Sequence, residues 1–237
     1  MFFTKLDYNQ FTEHIQNINR VEGDVLLVDK PYHVTSFEVV NKVKIALKKT
    51  YTDKIKVGHA GTLDPLATGL LIICTGKKTK QIEQIQALEK EYTGTFFVGA
   101  TTPCFDKEKE VDFTFPTEHI TEELITEAAK KFTGKQMQTP PIYSAVHIDG
   151  KRAYDLAREG VAEIKINPKE IEIKLFEITR VALPEIDFRV VCSKGTYIRS
   201  LARDFGLALN SGAYLTALRR TRIGDFEAKN AITAIVN

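Results

Sequence analysis

A carboxylate set in a shaped loop is the feature of this sequence that most invites chemistry. Gly58-His59-Ala60-Gly61-Thr62-Leu63-Asp64-Pro65-Leu66-Ala67-Thr68-Gly69 places three glycines and a proline in twelve residues and runs directly into Leu70-Leu71-Ile72-Ile73-Cys74. Pro65 supplies no backbone donor and biases Asp64 away from the helical region, so the carboxylate sits at a fixed point on irregular backbone beside an apolar strand. Ionised, such a group serves as a nucleophile or a general base. An Asp-Pro pair also organises turns with no chemistry at all, and at this point both readings stand open. The glycines lack the G-x-G-x-x-G and Walker spacings, so the loop is not a phosphate cradle. A glycosidase or aspartic hydrolase needs a second carboxylate working with Asp64. The segment has none, and Asp29 is the nearest candidate elsewhere.

Composition narrows the field. With 43% apolar and 27% charged residues, 14 Gly and 8 Pro in 237 residues, the chain is an ordinary globular one rather than a disordered or collagen-like one. Cys74, Cys104 and Cys192 are odd in number and far apart, which argues against a disulfide framework or zinc ribbon and favours a reducing cytoplasm. The five histidines show no metal-ligand spacing, so no metal is expected. A charge follows soon after Met1-Phe2-Phe3-Thr4, and the longest apolar run, Leu70 to Cys74, is far short of the ~20 residues of a membrane span. Neither a signal peptide nor a membrane partner is expected. Net charge is only +2, yet six Lys against one Asp lie between Lys42 and Lys56, and seven basic residues against Asp204 lie between Arg189 and Arg222. Folding that joined these stretches would present a basic surface to a polyanion.

The elements that must position the loop are legible in outline. Asp24 to Val28 reads as a strand ended by Pro31, and Thr35-Ser36-Phe37-Glu38 as a capping box opening a helix with Phe37, Val40, Val43 and Leu47 on its inner face. Leu124, Ala128 and Phe132 mark a second helix closed by Gly134, and Lys151 to Glu159 a third. Residues 91–98, 142–148, 161–166, 170–182, 185–193 and 213–223 read as strands, with Ile171, Ile173 and Leu175 facing one way and Glu172, Lys174 and Phe176 the other. From Tyr197 a helix with Leu201, Phe205 and Leu209 in line is expected. Strands outnumber helices without alternating regularly with them. The expected class is α+β, a single domain over residues 1–237 with a large mixed or antiparallel sheet flanked by helices.

The residues also carry a resemblance. The Gly58–Gly69 block resembles the signature of the bacterial tRNA pseudouridine synthase B (TruB) family, which includes the dyskerin-type enzymes. In order around it stand Leu27-Val28-Asp29-Lys30-Pro31, Lys90-Glu91-Tyr92, Gln138-Thr139-Pro140-Pro141-Ile142-Tyr143-Ser144-Ala145 and Gly150-Lys151-Arg152-Ala153-Tyr154. Cys192-Ser193-Lys194-Gly195-Thr196-Tyr197-Ile198-Arg199 and Leu218-Arg219-Arg220 follow, so the match spans about residues 24 to 225. The resemblance implies the pseudouridine synthase fold and an isomerase, free of cofactor and metal, that converts a uridine of the tRNA T loop to pseudouridine. It implies Asp64 as catalytic aspartate, Tyr92 as the tyrosine stacked on the target base, and Arg199 as the arginine paired with the aspartate. Tyr197 matches a further active-site aromatic, Leu218 an apolar wall, and His59 the histidine that enters the space left by the flipped nucleotide. Lys77, Lys78 and Lys80 adjoin the loop and are placed for phosphates, whereas Lys30 either does the same or supports its loop.

Some positions depart from the family pattern. His33 stands where the family usually has glycine, His147 where lysine is common, and Thr101-Thr102-Pro103-Cys104-Phe105-Asp106 keeps the aspartate of a family loop without its Gly-closed form. Most bacterial relatives carry a C-terminal PUA domain, for which the residues before Asn237 leave no room, so weaker tRNA affinity than in longer relatives is expected. The expected partner is the T arm of tRNA, bound by a cytoplasmic monomer. The competing reading is a non-catalytic RNA-binding or tRNA-folding chaperone, against which the presence of Asp64, Tyr92 and Arg199 together argues.

Overall fold

The strands form a large mixed sheet of ten, flanked by helices, in an α+β fold. The computed structural model describes residues 13, 15–144, 147, 148, 151–153 and 166–233. The chain divides into two compact units, Met1–Tyr92 with Leu218–Asn237, and Thr93–Ala217.

The first unit carries the loop. Its elements are β1 (Val25–Lys30), α1 (Ser36–Thr50), β2 (Val57–His59), β3 (Thr68–Thr75) and α2 (Ile82–Ala87). From the other end of the chain come the last residues of β12 (Ala213–Ile223), then β13 (Phe226–Glu227) and β14 (Ile232–Thr233). β3 is antiparallel to β1 and β2 and parallel to β12, with Arg219 opposite Thr68 and Arg220 opposite Gly69. The run Leu70–Cys74 does not alternate because both of its faces are covered. Leu71 and Ile73 pack with Val39, Val40, Val43 and Leu47 of α1. Leu70, Ile72 and Cys74 pack with Ile85, Ile223 and Ala228. α1 opens as the capping box requires: the Thr35 hydroxyl accepts from the Glu38 amide at 3.1 Å, and the Glu38 carboxylate accepts from the Thr35 amide at 2.7 Å. Its inner face is turned slightly from expectation. Val39 is buried, whereas Phe37 is 64% exposed with Lys44 over its ring.

In the second unit the principal strands are β7 (Gly134–Gln138), β10 (Lys169–Ala182) and β11 (Glu185–Cys192), paired antiparallel with β10 in the middle. Its helices are α3 (Glu122–Lys131) and α4 (Ile198–Ala208). β4 (Lys90–Val98) and β12 each run from one unit into the other. The core is aromatic: Phe96 stacks on Phe188 with centroids 4.1 Å apart, and Phe176 and Phe205 each approach at edge or tilted angles. β10 departs from simple alternation. A bulge between Ile173 and Leu175 shifts the register by one residue, which turns Phe176 inward and leaves Leu175 half-buried. Two short hairpins, β5 (Ala100–Thr101) with β6 (Phe113–Thr114) and β8 (His147–Ile148) with β9 (Lys151–Arg152), complete the elements. Lys151 and Arg152 therefore begin in a strand rather than in the expected helix, and Ile142–Ser144 lie in a bend rather than a strand. The remainder of the helix expected to Glu159, and residues 161–165 of the expected strand, lie outside the described residues.

Candidate active site

Asp64 is half-buried at the head of a tight turn, its carbonyl accepting from the Ala67 amide at 3.0 Å across Pro65 and Leu66. Three side chains hold the backbone on either side of it. Ser36, in the first turn of α1, donates its hydroxyl to the Leu63 carbonyl at 3.0 Å and accepts from the Leu63 amide at 2.9 Å. Lys30, at the end of β1, donates to the carbonyls of Pro31 (3.0 Å), Val34 (2.7 Å) and Pro65 (3.4 Å). Arg220, in β12, donates to Leu70 (2.8 Å), Thr62 (3.3 Å) and Gly61 (3.1 Å). Gly69 permits the last arrangement. Its φ is +101°, and a Cβ there would lie 2.3 Å from the Arg220 carbonyl oxygen, so the two strands approach only at glycine.

Lys30 is fully buried, and of its two expected roles this geometry is that of loop support. Burial pulls its ammonium from 10.5 to about 8, the Asp64 carboxylate acting in the opposite direction and the Arg220 charge adding to the fall. A charge-coupled cation thus lies beneath the loop. His59, at the end of β2, is half-buried, and burial together with the Arg220 charge holds its imidazole below the ordinary histidine range. At neutral pH it is an uncharged ring, and its Nδ1 is buried with no hydrogen-bond partner among the described residues. Asp29, the nearest second acid by sequence, is gripped by Arg219 through both oxygens at 3.0 and 2.7 Å. That engagement speaks against a two-carboxylate hydrolase.

The remaining expected residues of this unit fall into two groups. Tyr92 is 9% exposed near the start of β4, and the half-buried Leu218 begins this unit's part of β12, its carbonyl accepting from the Thr68 hydroxyl at 3.5 Å. Lys80 is exposed on the short 3-10 helix Gly76–Gln81 after β3. Lys77 on the same segment forms an ion pair with Glu22 at 2.7 Å, both exposed, a type that water screens strongly.

In the second unit Tyr197 caps α4. Its amide donates to Gln138 Oε1 at 2.8 Å, and its carbonyl accepts from Gln138 Nε2 at 3.1 Å, which fixes the start of the helix. Arg199 follows in the first turn and is buried. Its guanidinium lies 3.6 Å from the Asp106 carboxylate and donates to the carbonyls of Cys104 (3.3 Å) and Tyr143 (2.9 Å). Asp106 is therefore the acid beside Arg199, a residue that the sequence marks only as a retained loop aspartate. Ser36 and Arg220 were not singled out for the site at all, because partners up to 159 residues away leave no local spacing to detect.

Two departures have a structural outcome. His33 has φ +63° and Phe105 φ +62°, the left-handed region that glycine enters without cost. The His33 turn therefore has a backbone of the kind glycine favours, with the Tyr32 and His33 rings 4.2 Å apart edge to face. The side chain of His147 lies outside the described residues.

Taken together, the first unit presents a half-buried carboxylate on a loop pinned on both flanks, with an uncharged imidazole and a tyrosine in the same unit. Among the described residues no group of three His, Cys, Asp or Glu side chains is placed to hold a metal ion. No described helix is long and apolar enough to cross a membrane.

Comparison with known proteins gives these features a context. The model of the TruB family pseudouridylate synthase N-terminal domain matches residues 48–198, and that of the tRNA pseudouridylate synthase B C-terminal domain matches residues 199–235. The chain is 62% identical over 214 residues to a tRNA pseudouridine synthase B of Flavobacterium johnsoniae, covering 90% of this chain and 93% of that protein. It is 57% identical over 217 residues to one of Phocaeicola vulgatus, covering 91% and 92%. Among solved structures it resembles a chain of a Cbf5-Nop10-Gar1 complex, with TM-score 0.66 and 31% identity over 93% of this chain. An H/ACA RNP bound to a substrate RNA containing 2'-deoxyuridine gives 0.64 and 28% over 94%. This chain spans about half the length of those two, 53% in each case.

Proposed function

This chain belongs to the TruB family of pseudouridylate synthases and makes pseudouridine in tRNA; starting from that membership, we propose that its substrate is a T-loop uridine and that Asp64 is the group on which the reaction turns. The isomerisation breaks the bond between uracil N1 and ribose C1′ and joins C5 to C1′, the C5 proton being released and N1 gaining one. A uracil stacked in a loop hides its ribose face, so the nucleotide must leave the stack, at a cost of a few kcal/mol. Stacking on aromatic rings returns about 1–3 kcal/mol per base. Tyr92 is assigned to the extruded uracil and the uncharged His59 ring to the place it leaves. Asp64 acts as an anion, either on the sugar or base as a nucleophile or on a ribose proton as a base, and a cation nearby favours that state. Arg199 is assigned this task in keeping with the family resemblance. The family resemblance assigns Tyr197 as a further active-site aromatic and Leu218 as an apolar contact, and Lys80 is assigned to a phosphate. The enzyme acts on the T arm by loop shape and splayed bases rather than duplex sequence, in the cytoplasm and as a monomer.

The observation that carries this reading is the half-buried Asp64 at the head of a turn anchored on both flanks by Ser36, Lys30 and Arg220. Such anchoring presents one carboxylate in one place, which covalent or general-base work requires and a mere turn does not. Tritium release from tRNA labelled at uridine C5 tests it. Asp64→Asn is expected to abolish release while leaving tRNA binding nearly intact, and retained turnover overturns the assignment. The chaperone alternative predicts instead a wild-type protein that leaves no pseudouridine.

A further inference from the structure

Arg220 belongs to the Leu218-Arg219-Arg220 motif, and the function above leaves it without a task. It is 2% exposed, among the largest fully buried side chains of the protein. A buried guanidinium usually answers a carboxylate, since an uncompensated charge in the interior is costly. Among the described residues the hydrogen-bond partners of the Arg220 side chain are instead three backbone carbonyls, all belonging to the Asp64 loop or its exit strand. Gly61 and Thr62 lie before Asp64 and Leu70 lies after it. Its main chain takes part as well, because Arg220 is paired in register with Gly69 in the β3–β12 ladder. One residue therefore grips both limbs of the loop from a strand some 150 positions later in the chain.

We propose that Arg220 is a positioning residue for catalysis: its planar fork of donors ties the two limbs of the loop together and so sets where the Asp64 carboxylate stands. The inference rests on the reading of Asp64 as the catalytic group. Fork geometry matters more than charge here. A lysine keeps the positive charge but replaces the planar fork, whose separate nitrogens meet Leu70, Thr62 and Gly61, with one compact ammonium on a flexible stem. Misplacing a reacting group by about 1 Å costs on the order of 100-fold in rate, with little effect on binding made elsewhere.

The test compares the wild type with Arg220→Lys, and with Gly61→Ala, which strains the loop backbone that Arg220 grips at a glycine with φ +104° while its Cβ meets Arg220 Nη1 only at 3.8 Å. Three quantities are read: kcat and KM for C5-tritiated tRNA, the melting temperature, and amide hydrogen exchange at Leu63 and Ala67. Those two amides donate to Ser36 Oγ and to the Asp64 carbonyl, so they report the set of the loop. The expected result is a kcat about 100-fold lower with KM within about threefold of wild type. Exchange at Leu63 and Ala67 quickens at least tenfold, and the amides of β1 are unchanged. A purely structural Arg220 predicts instead a fall in melting temperature with kcat per folded molecule unaltered, and that outcome overturns the proposal. Should Arg220→Lys not fold, Gly61→Ala decides by the same readings, since it leaves the guanidinium in place. A wild type that releases no tritium refutes the assigned activity, while unchanged exchange in both variants refutes the clamp independently.

Discussion

At the scale of single residues, the sequence made the identities of the reactive groups legible but not their surroundings. Asp64, His59 and Lys30 stand in recognisable motifs, whereas the contacts that define their chemistry come from Ser36, Arg220 and, around Arg199, from Asp106. Lys30 shows the difference most sharply. By sequence Lys30 reads either as a phosphate contact or as a support for its loop, and it is fully buried on three carbonyls with its pKa drawn to about 8. Below pH 8 the ammonium is charged in the folded and unfolded chain alike, and the cost of burying it is borne in full. Between about 8 and 10.5 the folded protein has released a proton that the unfolded chain keeps, so this group makes stability rise with pH across that window. The difference in unfolding free energy between the wild type and Lys30→Met should accordingly increase in favour of the wild type from pH 8 to pH 10.5 in denaturant titrations. A flat or falling difference would show that the ammonium is not held in its depressed state.

The secondary-structure elements were more readable than the site they carry. α1, α3, α4, β4, β10, β11 and β12 all lie where periodicity and capping place them, because each has one face against a core and one toward solvent. Where reading failed, a neighbouring strand or helix had overruled local pattern. The β10 bulge inverts the facing of Phe176, which joins Phe96, Phe188 and Phe205 in a core invisible to strand alternation alone. Phe37 fits the helical stripe, but the turn begun at Ser36 commits that residue's hydroxyl to Leu63 and rotates the buried face toward Val39. Val40→Ala should therefore cost about 2 kcal/mol of unfolding free energy, the transfer and cavity terms of a buried side chain. Phe37→Ser should cost less than about 1 kcal/mol, as an exposed substitution does. Equal losses for the two would restore the simpler helical stripe.

For the molecule as a whole, a net charge of +2 conceals a strongly uneven distribution of basic residues. Binding to tRNA should weaken linearly in a log–log plot against salt, and Lys80→Ala should lower the steepness by about one while weakening all tRNA substrates alike. A variant with unaltered steepness would remove Lys80 from the phosphate contacts. The parallel pairing of β3 with β12 has one more consequence. Gly69 and Arg220 are neighbours in space but far apart along the chain. On a ribosome adding about 5–20 residues per second, the loop that carries Asp64 emerges roughly eight to thirty seconds before the arginine proposed to fix it. Under the proposed clamp a nascent chain holds an unset carboxylate until β12 arrives, so its competence toward RNA waits on that strand rather than on the loop itself.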